Sequence, residues 1–184
     1  MVNLANLITI GRLIAVPFIV WLLVSQNHAT AFWLFVAAGI SDGIDGYLAK
    51  HWGMATTLGR YLDPVADKAL LVSIYVTLGW QGFLPSWLVL MVVTRDVLII
   101  GAIVISGLMS HDLEIRPTPV SKLNTVVQIA LAVWILAHFA FDFSPVADTV
   151  AWMLIWSVTV TVLLSLYRYL VIWLSGIAGM EAGR

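Results

Sequence analysis

Cysteine is absent from the 184 residues, which excludes disulfides, thiolate metal sites and a cysteine nucleophile. Charge is scarce: 9 Lys+Arg and 10 Asp+Glu make up 10% of the chain, against about a quarter in a soluble domain. A water-soluble globule is therefore a poor fit. The net charge of −1 supplies no overall field to attract nucleic acid. No long repeat, low-complexity tract or linker marks a second domain, so one membrane-embedded domain over 1–184 is expected. What the chain has instead is apolar length. With 61% hydrophobic residues it has room for roughly six spans of about 20 residues.

Gaps between charges outline those spans. From Arg12 to Asp42 there are 29 residues without Asp, Glu, Lys or Arg, interrupted only by the polar Ser25-Gln26-Asn27-His28. This predicts span one over 12–25 and span two over 30–50. Another 26 uncharged residues separate Lys68 from Arg95, broken at Gly79-Trp80-Gln81-Gly82 and by Pro85, predicting spans at 59–79 and 86–109. Lys122 to Asp142 and Asp148 to Arg168 each enclose 19 uncharged residues and give spans five and six. The first ten residues, with Leu4, Leu7, Ile8 and Ile10 at near-helical spacing, are expected to form a short interfacial helix before span one. The N-terminal segment is read as a retained span rather than a cleaved leader, because every later segment is equally apolar. The expected class is an all-α polytopic membrane protein.

Arg12, Lys50, Arg60, Arg116, Lys122 and Arg184 fall at the two termini and in loops 2-3 and 4-5, whereas the other three loops carry no Lys or Arg. By the positive-inside rule, both termini and loops 2-3 and 4-5 face the cytoplasm.

Four of the ten acidic residues, Asp42, Asp45, Asp63 and Asp67, lie within the 26 residues DGIDGYLAKHWGMATTLGRYLDPVAD. Carboxylates near a membrane core are expensive and persist where something cationic or functional balances them. Asp42 and Asp45 are spaced i, i+3 and Asp63 and Asp67 i, i+4, so each pair shares a helical face. A short loop allows an antiparallel hairpin to turn both faces together into a cup open to the cytoplasm. Oxygen ligands without His or Cys suit Mg²⁺ or Mn²⁺. Two such ions would clamp a phosphoryl group and stabilise attacking and leaving oxygens. Gly43, Gly46 and Gly59 let backbone approach a ligand, and Lys50 and Arg60 add the positive charge a diphosphate requires. The competing structural reading pairs the aspartates with Lys50, Arg60, Lys68 and Arg95.

The order Asp-x2-Asp-Gly-x2-Ala-Lys-x8-Gly-x3-Asp-x3-Asp over 42–67 resembles the signature of the CDP-alcohol phosphatidyltransferase family. The position of Lys50 is usually Arg there; the change keeps the charge and loses the planar fork for bidentate phosphate contact. The resemblance implies a six-helix, usually dimeric enzyme acting on CDP-diacylglycerol. It implies that Asp42, Asp45, Asp63 and Asp67 ligate two divalent cations and that Asp67 is also the general base. It further implies that Asp42, Gly46, Lys50, Thr56 and Gly59 meet the CDP moiety. Asn6, Thr9 and Arg12 in NLITIGR resemble the family's N-terminal segment near the nucleotide-lipid.

The acceptor depends on residues outside the signature. Arg95, next to Asp96 within span four, either pairs locally or faces a polar cavity. Arg116 and Lys122, flanking Pro117 and Pro119, are candidates for an acceptor phosphate or for positive-inside anchoring. The stretches DPVADKALLVSIY, TRDVLIIGAI and PTPVSKLNTVVQIAL are similar to the cardiolipin-synthase branch, in which phosphatidylglycerol is the acceptor. Phosphatidylglycerophosphate synthesis from glycerol 3-phosphate is the alternative. A small cation transporter is the alternative from another class; it would place acidic groups near mid-membrane on several helices, often discontinuous. His28, His51, His111 and His138 show no mutual metal-ligand spacing, and the nine Trp read as interfacial anchors and packing.

Overall fold

In the computed structural model, residues 4–52, 57–108, 119–141 and 146–182 are described, with side chains for 9–41, 43, 66, 68–101, 119–141 and 148–171. The described residues form helices α1 (Leu4–Val24), α2 (His28–Trp52), α3 (Thr57–Trp80), α4 (Ser86–Leu108), α5 (Pro119–Phe141) and α6 (Val146–Ala182). The expected element order is thus observed, with one correction at each end of the chain. The separate interfacial helix over the first ten residues is not a distinct element, because Leu4 to Val24 is one continuous helix. Gly11 costs about 1 kcal/mol in a helix interior, too little to end it, and Pro17 is accommodated within the same helix. At the other end α6 runs on from Arg168 to Ala182, making 37 residues and about 55 Å, longer than a bilayer core of about 30 Å. No proline interrupts it.

By length and composition, α5 and the Asp148–Val171 part of α6 are able to cross a membrane, and shorter apolar stretches lie at Thr9–Val24, His28–Ser41 and Lys68–Trp80. The outward residues of the bundle are themselves apolar. Phe18, Trp21, Trp33, Leu90, Val126, Trp152 and Leu163 are among the exposed large side chains. Such a surface is unsuited to water and suited to hydrocarbon.

Packing order follows from which helices touch. Going round the bundle, α1 lies against α2, α2 against α5, α5 against α6, α6 against α4, α4 against α3 and α3 against α1, with α3 also meeting α5 across the middle. Among the described residues, α2 and α3 do not pack on each other. Among those residues α1 bridges the two helices, and its buried Ile19 and Leu23 belong to the same core as the apolar halves of α2 and α3. Phe35 and Ala38 of α2, Leu70, Ile74 and Leu78 of α3, Leu88 of α4, Leu131 and Ile135 of α5 and Val158 of α6 complete one continuous core.

The turns explain why consecutive helices run antiparallel. Asn27 caps α2, its Oδ1 accepting from the Thr30 hydroxyl at 2.8 Å, and Gln26 takes the left-handed φ of 59° that reverses the chain. Gly82, with φ of 81°, ends α3 while Phe83 N–H returns to Leu78 C=O at 2.9 Å. Gln81 Nε2 donates to Leu23 C=O at 2.7 Å, joining this turn to the first one. His28, Phe83 and Phe139 form an aromatic cluster there, with the two phenyl rings stacked at 3.9 Å. The starts of α1, α3 and α5 consequently lie at the opposite end.

Gly79 sits where α3 and α4 come closest, since a Cβ there would fall 2.6 Å from Val89 Cγ2. Gly79→Ala is expected to destabilise the protein by about 1–3 kcal/mol through overpacking, measured as thermal unfolding in detergent. Val89→Ala in the same chain is expected to remove most of that loss, because the clash is with the stiff valine branch.

Candidate active site

The end of the bundle away from the aromatic cluster receives both acidic pairs. Asp42 and Asp45 lie on the half of α2 that leads to Trp52, and Asp63 and Asp67 on the half of α3 that begins at Thr57. Helical backbone over both stretches preserves the i, i+3 and i, i+4 registers, so each pair keeps a common helical side. Gly43, Gly46 and Lys50 share α2 with the first pair, and Gly59 and Arg60 share α3 with the second. At Gly43 a Cβ would meet nothing within 4 Å, so the space beside α2 there is open. The side chains of Asp42, Asp45, Lys50, Asp63 and Asp67 lie outside the described ones; carboxylates as a residue type suit hard divalent cations. Thr56 and Arg116 lie outside the described residues.

On α1, Thr9 and Arg12 are one turn apart and both buried, which puts this face of the N-terminal segment inside the bundle rather than among headgroups. Asn6 stands one further turn back on the same helix. Lys122, in the first turn of α5, is exposed.

Arg95 and Asp96 are the ionic centre of the described structure. They are 1% and 2% exposed in the middle of α4. Asp96 takes Arg95 Nη1 on Oδ1 and Lys68 Nζ of α3 on both oxygens, each at 2.9 Å. Arg95 also donates through Nε and Nη2 to Ser165 Oγ of α6, at 3.2 and 3.0 Å, and through Nη2 to Ser121 Oγ of α5. One buried cluster thereby ties α3, α4, α5 and α6 together. Lys68 and Arg95, two of the cations that the structural reading pairs with the acidic quartet, both meet Asp96.

Ser121, Ser165 and the α5 amides were not singled out from sequence. Asn124 and Gln128, both fully buried, follow Ser121 along one face of α5. The Thr161 hydroxyl is 2.9 Å from Asn124 Oδ1, whereas Asn124 Nδ2 and both Gln128 side-chain polar atoms have no hydrogen-bond partner. Tyr75 reaches the same turn, donating to Gln128 C=O at 3.0 Å. The available signal was the spacing of Ser121, Asn124 and Gln128 at three and four residues within an apolar span.

Asp96→Leu alone strands two cations and is expected to destabilise by about 3–5 kcal/mol. Replacing the whole cluster, Lys68→Met with Arg95→Met and Asp96→Leu, is expected to recover most of that loss in the same unfolding assay.

Comparison with known proteins adds the chemistry. Residues 2–177 match the family model described as CDP-alcohol phosphatidyltransferase. The chain is 32% identical over 184 residues to the chloroplastic CDP-diacylglycerol–glycerol-3-phosphate 3-phosphatidyltransferase 1 of Oryza sativa subsp. japonica, covering 91% of this chain and 56% of the relative. To the cardiolipin synthase (CMP-forming) of Homo sapiens it is 29% identical over 184 residues, covering 91% and 60%. To a probable phosphatidylglycerophosphate synthase of Mycobacterium tuberculosis it is 36% identical over 141 residues, covering 73% and 66%. The chain thus spans little more than half the length of the first two. These matches give the cation-transporter reading no support.

Proposed function

The chain belongs to the CDP-alcohol phosphatidyltransferase family, and from that premise we propose that it transfers a phosphatidyl group from CDP-diacylglycerol to phosphatidylglycerol, giving cardiolipin and CMP. The observation that carries this reading is the signature over 42–67, its acidic pairs on the helical backbone of α2 and α3, inside a family match that runs over 2–177. Asp42, Asp45, Asp63 and Asp67 would hold two divalent cations, Mg²⁺ or Mn²⁺, which supply neutralisation of the diphosphate charge. Asp67 accepts the proton of the acceptor hydroxyl as its oxygen attacks the lipid-bearing phosphorus. The bond between that phosphorus and the bridging oxygen breaks, and CMP departs with the electron pair. Asp42, Gly46, Lys50, Thr56 and Gly59 seat the CDP moiety, with Lys50 acting as a point charge on phosphate. Asn6 and Arg12 adjoin the nucleotide-lipid from α1.

For the acceptor phosphate, Arg116 and Lys122 are the residues proposed. Arg95 was a third candidate, but its guanidinium is occupied by Asp96, Ser121 and Ser165. We assign it to holding α4, α5 and α6 rather than to the phosphate. The buried amides of Asn124 and Gln128 offer hydrogen bonds to acceptor hydroxyls on the adjoining turns of α5. Phosphatidylglycerophosphate synthesis from glycerol 3-phosphate is the second reading, favoured by the similarity to enzymes of that name.

The chain is proposed to cross the bilayer six times as a single domain over 1–184, with both termini and the acidic end of the bundle at the cytoplasmic side and two copies forming a homodimer. Apolar outward faces and the one-ended placement of Lys50, Arg60 and Lys122 support that orientation. No nucleic acid enters the scheme.

Purified protein given CDP-diacylglycerol with either phosphatidylglycerol or glycerol 3-phosphate is expected to release CMP and form cardiolipin from the first pair; phosphatidylglycerophosphate from the second pair alone would select the second reading. EDTA is expected to stop release and Mn²⁺ or Mg²⁺ to restore it, and metal-independent turnover would remove the two-cation scheme. Asp67→Asn is expected to lower turnover at least about 100-fold, as loss of a general base does, while retaining CDP-diacylglycerol binding in an equilibrium assay.

A further inference from the structure

We propose that Asp96 is a positioning residue for the metal-binding carboxylates: through Lys68 it sets the rotation and depth of the part of α3 that carries Asp63 and Asp67. The inference rests on the functional reading above, in which those aspartates hold divalent cations. Lys68 directly follows Asp67 on α3, and its ammonium meets both Asp96 oxygens at 2.9 Å. A helix is stiff over so short a distance. Turning α3 by one residue, about 100°, or sliding it by one rise of about 1.5 Å would therefore break that contact and displace both aspartates together.

Apolar packing does not fix this register alone. Side chains such as Leu70, Leu71 and Ile74 fill a core whose contacts are non-directional, and such cores accept small rotations through rotamer changes. A charged contact onto both oxygens of one carboxylate does not. Asp96 is a firm anchor because it is 2% exposed and held on its other side by Arg95, which is itself fastened to α5 and α6 through Ser121 and Ser165. At the opposite end of the same helix pair, Gly79 meets Val89 in close contact. Lys68 and Gly79 are 11 residues apart, about 16 Å along α3. Two fixed points define the line of a helix; removing the one beside the aspartates frees that half.

The placement explains two otherwise costly features. A partly buried lysine next to the carboxylate stretch would be expected to neutralise it, yet Lys68 is directed to α4. Residues at i and i+1 do not face each other on a helix, so Lys68 is able to hold α3 without covering the side of the helix to which Asp67 belongs. The buried Arg95–Asp96 pair, weak as a source of stability, acquires a use as the fixed end of this contact.

The test compares wild type, Lys68→Gln and Lys68→Arg in detergent, measuring CMP release against free Mn²⁺ concentration and Mn²⁺ binding by electron paramagnetic resonance. Groups that orient metal ligands typically change metal affinity about 10- to 100-fold when removed. Lys68→Gln is therefore expected to raise the Mn²⁺ midpoint at least about tenfold in both measurements. Lys68→Arg, which keeps charge and reach, is expected to restore it to within about threefold of wild type. Gly82→Ala, which strains a turn at the far end of α3, controls for instability: it is expected to lower the unfolding temperature and leave the midpoint in place. If Lys68→Gln does not extract as a monodisperse species, Asp96→Glu takes its place, since one added methylene keeps the charges and shifts the contact. A folded Lys68→Gln or Asp96→Glu protein with the wild-type Mn²⁺ midpoint overturns the proposal. Absence of Mn²⁺-dependent CMP release in wild type instead overturns the functional reading on which it rests, and is recognised before any variant is compared.

Discussion

A charge inside an apolar helical bundle has to be paired, and the placement of this chain's few charges organises much else in the structure. Arg95 and Asp96, near the middle of a helix with a lipid-compatible outer face, would be expensive alone. They are accommodated because Lys68, Ser121 and Ser165 converge on them from three other helices. The directional cost of leaving any donor unsatisfied makes the relative setting of α3, α4, α5 and α6 far narrower than apolar packing would. Whatever happens at the acidic end of α3 happens on a helix held in this way.

The ring order of the helices has its own consequence for chemistry. Since α1 joins α2 to α3 and those two do not pack on each other among the described residues, the acidic stretches belong to helices held by third parties. A bridging helix sets a spacing while its inward Thr9 and Arg12 contribute polar character from the third side. The aromatic cluster of His28, Phe83 and Phe139 lies at the other end of the bundle.

Similarity to enzymes named for two different acceptors fits a division of labour along the chain. In the proposed scheme the signature over 42–67 serves the nucleotide-lipid and the cations, which both activities share. In the proposed scheme acceptor choice falls to Arg116 and to α5, where Lys122 is exposed and Asn124 and Gln128 are buried with unmet hydrogen-bonding capacity. Under that scheme small changes there alter the acceptor without disturbing transfer, because the residues proposed to hold the leaving nucleotide belong to other stretches of the chain.

The element order, the helix-ending turns at Gln26 and Gly82, and the acidic quartet with its i, i+3 and i, i+4 registers are legible in the residues alone, because charge gaps, turn chemistry and helical period are local properties. The continuity of Leu4–Val24 and the length of α6 were less legible, since a weak breaker such as Gly11 does not say whether a helix continues. That Lys68 answers Asp96, 28 residues away, and that Arg95 is fastened to Ser121 and Ser165, 26 and 70 residues away, came from the packed bundle. Pairing between helices depends on their rotation and order in the bundle, and neither is written in any one span: both emerge when all six bury their polar groups together.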